Sequence, residues 1–159
     1  MKQEKLNDFS TRITQANKSE LVVITYEIIM DSLLFAREEC EKENWLSFEK
    51  ELKRVQKLLH ELMGSLDFQF GLSLELMSLY QYCGKCIVKA MYQKDCKEFD
   101  AVEGVINRLK VAFEEVAKTD TSGPVMKNTQ TIYAGLTYGK HSLNEVFVNV
   151  NEANRGFRA

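Results

Sequence analysis

NKSELVVITYEIIMDSLLFAREEC, residues Asn17 to Cys40, is a long and mostly apolar stretch with helical periodicity. Val22, Tyr26, Ile29, Leu33, Ala36 and Cys40 recur at 4-3-4-3-4 spacing, which places them on one face of an α-helix. That seam is ordinary for a helix bundle. The remainder is less so: Leu21, Ile24, Ile28 and Phe35 form a second stripe, and Val23, Met30 and Leu34 a third. At about 100° per residue the two lie roughly 130° and 100° from the first, on opposite sides of the helix. A helix apolar in three directions is either central in a core or lends one face to a partner. Asn17, with Glu20 three positions on, supplies the two side chains of a capping box at its start.

Three further helices follow from the same pattern. Trp45, Phe48, Leu52, Val55, Leu59, Leu62 and Leu66 repeat at 3-4-3-4-3-4, a bundle seam with lysines and an arginine elsewhere on the surface. Gly64, Ser65, Asp67 and Gly71 loosen the next corner. A third helix is predicted from about Leu72 to Met91, with Leu76, Tyr80, Cys83, Ile87 and Ala90 as its seam. Asp95, with Glu98 three positions on, is the predicted cap of a fourth, whose seam is Phe99, Val102, Ile106, Leu109, Phe113 and Val116. Four helices of similar length with short links make an all-α fold, an antiparallel up-down-up-down four-helix bundle. Residues 1–124 form the bundle domain, including a polar N-terminal arm, 1–16, whose only aromatic is Phe9. The chain changes character after Pro124, its only proline. Residues 125–159 hold too few apolar side chains for a core of their own and read as a C-terminal tail, with one short helix from Ser142 to Val150. The tail carries a net +2 against −4 for the rest, so the signs permit it to fold back as a cover.

At 159 residues, with 45% hydrophobic and 28% charged, the chain suffices for one domain with a real core. A net charge of −2 leaves no electrostatic footprint for nucleic acid. The polar start, Met1 to Ser10, lacks the apolar segment of a signal peptide. Apolar runs such as Leu21 to Ile24 are far too short to span a bilayer. The expected location is the cytoplasm, where Cys40, Cys83, Cys86 and Cys96 stay reduced.

Candidate chemistry is sparse. Cys83-Gly84-Lys85-Cys86 has the spacing of a redox dithiol or half a zinc site, but it falls inside a helix, and Cys40, Cys96, His60 and His141 offer no second pair. Buried core cysteines are the simpler reading. The Glu-x-x-His pairs of metal-carboxylate bundles are missing, since neither histidine has a Glu three residues before it. His60-Glu61-Leu62-Met63-Gly64-Ser65 resembles the His-x-Leu-Lys-Gly-Ser motif of histidine phosphotransfer domains, which are also four-helix bundles. His60 lies roughly 110° from the seam of its helix, on the outside. Met63, however, stands where the charge-neutralising Lys belongs, and Gly64 falls at the helix end. Phosphotransfer through His60 is the alternative function. No metal, cofactor or enzymatic step is expected otherwise.

Taken in order, the local motifs resemble the flagellin-specific export chaperone family, FliS. Asn17-Lys18-Ser19-Glu20-Leu21 through Ile24-Thr25-Tyr26-Glu27-Ile28 stands where the family has a Ser-Pro-capped helix reading Leu-x-x-x-Leu-Tyr-Asp-Gly. Glu61-Leu62-Met63-Gly64-Ser65-Leu66-Asp67 is similar to its Glu-Leu-x-x-Ser-Leu-Asp corner. Leu79-Tyr80-Gln81-Tyr82 matches its Leu-Tyr-x-Tyr, and Ala90 its Leu-x-x-Ala. The likeness covers roughly Phe9 to Lys118. Departures are Phe9 for the arm Tyr, Lys18 for the cap Pro, Glu27-Ile28 for Asp-Gly, and Phe113 where a Trp is common.

The resemblance implies a cytoplasmic chaperone that binds the C-terminal segment of flagellin, prevents premature polymerisation and keeps it competent for flagellar type III secretion. It brings in components of the flagellar export apparatus as further partners, without nucleic acid or membrane insertion. It also implies a groove for the flagellin segment, expected at Leu21, Ile24 and Ile28 with Leu58, Leu62 and Leu66, and a cap on the empty groove, Phe9. Periodicity alone leaves open which flank of the first helix forms that groove.

Overall fold

Among the described residues there are five helices, where the sequence predicts four and an arm. The computed structural model describes residues 3–126, and side chains from 5 to 126. Helix α1 is Gln3–Gln15, α2 Lys18–Glu41, α3 Trp45–Gly64, α4 Leu72–Gln93 and α5 Phe99–Thr119. In the ring of four, α2 packs on α3 and α5, and α4 packs on α3 and α5, so each helix lies beside the next and α2 stands opposite α4. The α4–α5 seam is the least extensive of these contacts. The fifth helix, α1, lies outside the ring and packs on α2. The chain divides into two units, Met1–Lys127 and Asn128–Ala159. The expectations for 125–159, including the helix from Ser142, lie outside the described residues apart from Val125 and Met126.

The predicted seams converge on one core. Tyr26, Ile29, Leu33 and Ala36 of α2 meet Phe48, Leu52, Val55 and Leu59 of α3, all between 0 and 1% exposed. From the other side come Leu76, Tyr80, Cys83, Ile87 and Ala90 of α4 with Phe99, Val102 and Ile106 of α5. Phe48 stacks on Phe99 with ring centroids 6.1 Å apart, and Phe113 meets the ring of Tyr26 edge-on at 5.7 Å. The hydroxyls of Tyr26 and Tyr80 share a hydrogen bond at 2.5 Å, which satisfies two polar atoms that burial would otherwise strand. Burial, with that neighbour, raises the Tyr26 pKa above its ordinary value.

Helix ends follow local chemistry. Asn17 accepts from the Glu20 backbone N–H at 2.9 Å while the Glu20 carboxylate accepts from the Asn17 N–H at 2.9 Å, the reciprocal capping box. Asn44 caps α3 by accepting from the Ser47 N–H. Its amide also donates to Glu39, which Lys42 reaches at 2.9 Å; that ion pair holds the Glu39 carboxyl below its usual range.

Three expectations are corrected. The arm is helical, because Phe9 and Ile13, with Ala16 just beyond its end, give it an apolar edge to lay on α2. Asp95 does not cap α5: Lys94 takes a left-handed conformation (φ 52°) that ends α4, and Asp95 accepts from the Lys97 N–H in the following turn. The helix starts at Phe99, with no side-chain cap. Finally, the seams fade at their ends: Val22 and Cys40 are only half-buried, and Val116, in the last turn of α5, is 50% exposed.

Candidate functional site

Three residues of the second stripe of α2, Leu21, Ile24 and Ile28, pack against α1 and the residue that follows it, Ala16. Phe9, Ala16 and Ile24 form a small apolar cluster of their own, with Ile13, Leu21 and Ile28 packed against it. Phe9 is 7% exposed and Ile24 4%. Two ion pairs fix the register: Lys5 reaches Asp31 at 2.7 Å and Arg12 reaches Glu27 at 2.5 Å. Early residues of α1 thus face later residues of α2, as in an antiparallel hairpin. The connection is only Ala16-Asn17, and its polar groups are tied to the segment that follows α5. The Asn17 amide donates to the Asp120 carbonyl at 3.3 Å, and the Ser19 hydroxyl to the Asp120 carboxylate at 2.6 Å. The Val125 N–H donates to the Ala16 carbonyl at 3.0 Å. Hydrogen bonds from Ser122 and Ser19 hold the Asp120 carboxyl well below the usual carboxylate range.

Leu21, Ile24 and Ile28 therefore lie together under α1, next to Phe9. The other predicted groove residues lie elsewhere. Leu62 is 6% exposed in the main core, and Leu58 and Leu66 are half-buried against that same core. Leu62 alone approaches the first group: it lines, with Leu21, Val22 and Thr25, an open groove of about 440 Å³ between α2 and α3. A second groove, of about 560 Å³, runs along the other edge of α1 between α2 and α5, past Ala16, Ile24 and Ala117. The face under α1 is thus flanked by open space on both sides. Sequence reasoning missed Ile13 and Ala16 as parts of the cover, although Leu6, Phe9, Ile13 and Ala16 stand at 3-4-3 spacing, the signal used for every other helix.

Two other candidates resolve simply. Cys83 and Cys86 face the core, 0 and 6% exposed, in the middle of α4. Burial and the neighbouring Cys86 push the Cys83 thiol up to about 12, the opposite of a reactive dithiol. Among the described residues no group of three His, Cys, Asp or Glu is placed to hold a metal, and no helix is long and apolar enough to cross a membrane. His60 is exposed on α3, and its Nδ1 donates to the Gln56 carbonyl at 2.7 Å. Gly64 is the last residue of α3 and Met63 is half-buried, so neither the room nor the cation of a phosphotransfer motif is supplied by those positions.

No curated protein gives a significant match to the chain. Residues 1–120, from α1 to the end of α5, match the family described as flagellar protein FliS. The match takes in the whole helical bundle together with the segment that covers its extra apolar face, and by it the chain belongs to the FliS family, whose members are non-enzymatic flagellar chaperones.

Proposed function

We propose that this chain is a cytoplasmic export chaperone that binds the C-terminal segment of flagellin, prevents its premature polymerisation and keeps it competent for flagellar type III secretion. The observation that carries the reading is an apolar strip, Leu21, Ile24 and Ile28, that stands outside the main core cluster and that, among the described residues, α1 covers. A core-facing seam needs no such cover, and a soluble surface does not ordinarily carry one. A strip covered by a short, separately attached helix suits an exchange, in which an amphipathic helix of the client takes the place of α1.

The energetics favour a displaceable cover. A helix of 13 residues is marginal alone, so α1 persists only by what it gains on α2. A client that must order a long segment needs a large contact, on the order of 1,000–3,000 Å². The two grooves beside this face extend the strip toward α3 and α5. Components of the export apparatus are the further partners this role requires.

The test is a pull-down of flagellin carrying or lacking its C-terminal helix. Retention of the full-length form alone supports the proposal. Equal retention of both forms, or of neither, overturns it.

A further inference from the structure

A second open groove lies between α3 and α4, on a side of the bundle that neither α1 nor α2 reaches. Its volume is about 620 Å³ and its lining comes from α3 and α4 alone. Leu59 and Tyr80, each 1% exposed, form the floor. Met63, Val88 and Tyr92 form apolar walls, with Val88 52% and Tyr92 90% exposed. Gly84 lies in the middle, on a regular stretch of α4. A Cβ built there would meet no atom within 4 Å, so no close approach or turn calls for glycine. Glycine is a poor helix former, and what its bareness leaves here is an unobstructed groove.

The charges along it have one sign. Lys85 and Lys89 line the groove and no carboxylate does, in a protein whose net charge is −2. Lys89 is engaged by Glu98, while Lys85 has no carboxylate partner among the described residues. Along α4 the lining runs from Gln81 to Tyr92, which at about 1.5 Å per residue is room for roughly three turns of helix. Three turns present anchors at i, i+3 or i+4, and i+7, the pattern by which an amphipathic helix fills a groove.

We infer that the α3–α4 groove is a second docking site, which takes an amphipathic helix of a partner protein carrying acidic residues beside its apolar stripe. The site is separate from the face under α1, since α4 stands opposite α2 in the ring, so both can be occupied at once. The inference does not rest on flagellin as the client of that other face. Lys85 sets the preference for acidic flanks, and the apolar walls supply the affinity.

The probe is a synthetic helical peptide of about four turns, with leucines on one stripe and glutamates beside it, titrated into the full chain and followed by amide shifts and fluorescence anisotropy. Saturable binding is expected, with shifts at Gln56 to Met63 and Gln81 to Tyr92, none in α1, and weakening with salt. A version with lysine for each glutamate should bind several-fold more weakly. Gly84→Trp fills the groove and should weaken binding about tenfold or more with helicity unchanged, as a Cβ at this position meets no atom within 4 Å. Val88→Asp, at an exposed position, should do the same by charge repulsion and an unfavourable wall. Undiminished binding in both variants, equal binding of the lysine peptide, or shifts centred on α1 and α2 would overturn the inference. So would self-association of the wild-type chain that Gly84→Trp abolishes, because the occupant would then be a second copy.

Discussion

Phe9→Ala isolates the attachment of α1 from the stability of the bundle. Phe9 is 7% exposed, and no residue of α1 belongs to the main core cluster. Full burial of a phenylalanine contributes about 1.5–3 kcal/mol. The ion pairs Lys5–Asp31 and Arg12–Glu27 join side chains between 22 and 54% exposed. Each is therefore worth no more than about 1 kcal/mol. The apolar contact dominates, and removing most of it should shift the attachment of α1 by about 2 kcal/mol, or roughly 30-fold in the detached population. Amide exchange in α1 should accelerate by that factor while the protected amides of α2 to α5 keep their rates.

The same shift has a consequence for binding. When a client competes with α1 for one face, its apparent affinity scales with the fraction of molecules in which that face is open. Phe9→Ala should therefore tighten binding of a flagellin C-terminal segment, by up to about 30-fold if α1 is almost always docked in the wild type. Lys5→Ala, which removes one ion pair, should change it by no more than about fivefold. Anisotropy of a labelled segment measures the affinity, and hydrogen exchange measures α1. Faster exchange with unchanged or weaker affinity would refute the competition. Unchanged exchange would refute the packing argument itself.

Other outcomes follow from single side chains. Ile24→Asp places a charge under α1 and should release α1 and lower flagellin retention, whereas Leu58→Asp, half-buried against the main core, should also lower the melting temperature; undiminished retention in both folded variants would sink the predicted contact set. Ser32 is fully buried on α2 and its hydroxyl has no hydrogen-bond partner among the described residues, so Ser32→Ala should stabilise by about 1 kcal/mol, and a melting temperature that falls instead contradicts this. The depressed Asp120 carboxyl favours the folded state at every pH above the ordinary carboxylate range, and that contribution is lost as pH falls through the folded-state value. Ser19→Ala should move the Asp120 titration back up, a change readable by carbon-detected NMR and absent if Ser19 does not donate to it.

The bundle was legible because its determinants are periodic and local. The seam residues repeat every three or four positions, and burial at 0 to 1% selects many of these same side chains, in α5 those of its first half. The capping box of α2 is likewise confined to Asn17 and Glu20. What escaped is what depends on a distant neighbour. The 3-4-3 spacing of α1 spans only four residues, too thin an edge to hold a helix alone, and what holds it is packing on Ile24 and Ile28. The end of α4 is set by a left-handed Lys94, a conformation that lysine does not advertise. Val116 keeps the period of its helix yet is half exposed, since periodicity marks a face and not the length over which that face finds a partner. The groove residues show the same limit. Leu21, Ile24 and Ile28 share a stripe and a location, whereas Leu58, Leu62 and Leu66 share a helical spacing but belong to the main core. Surplus apolar stripes are thus visible in a sequence. Which of them is left outside the main core is decided by packing between elements, and in this chain Leu21, Ile24 and Ile28 lie under α1.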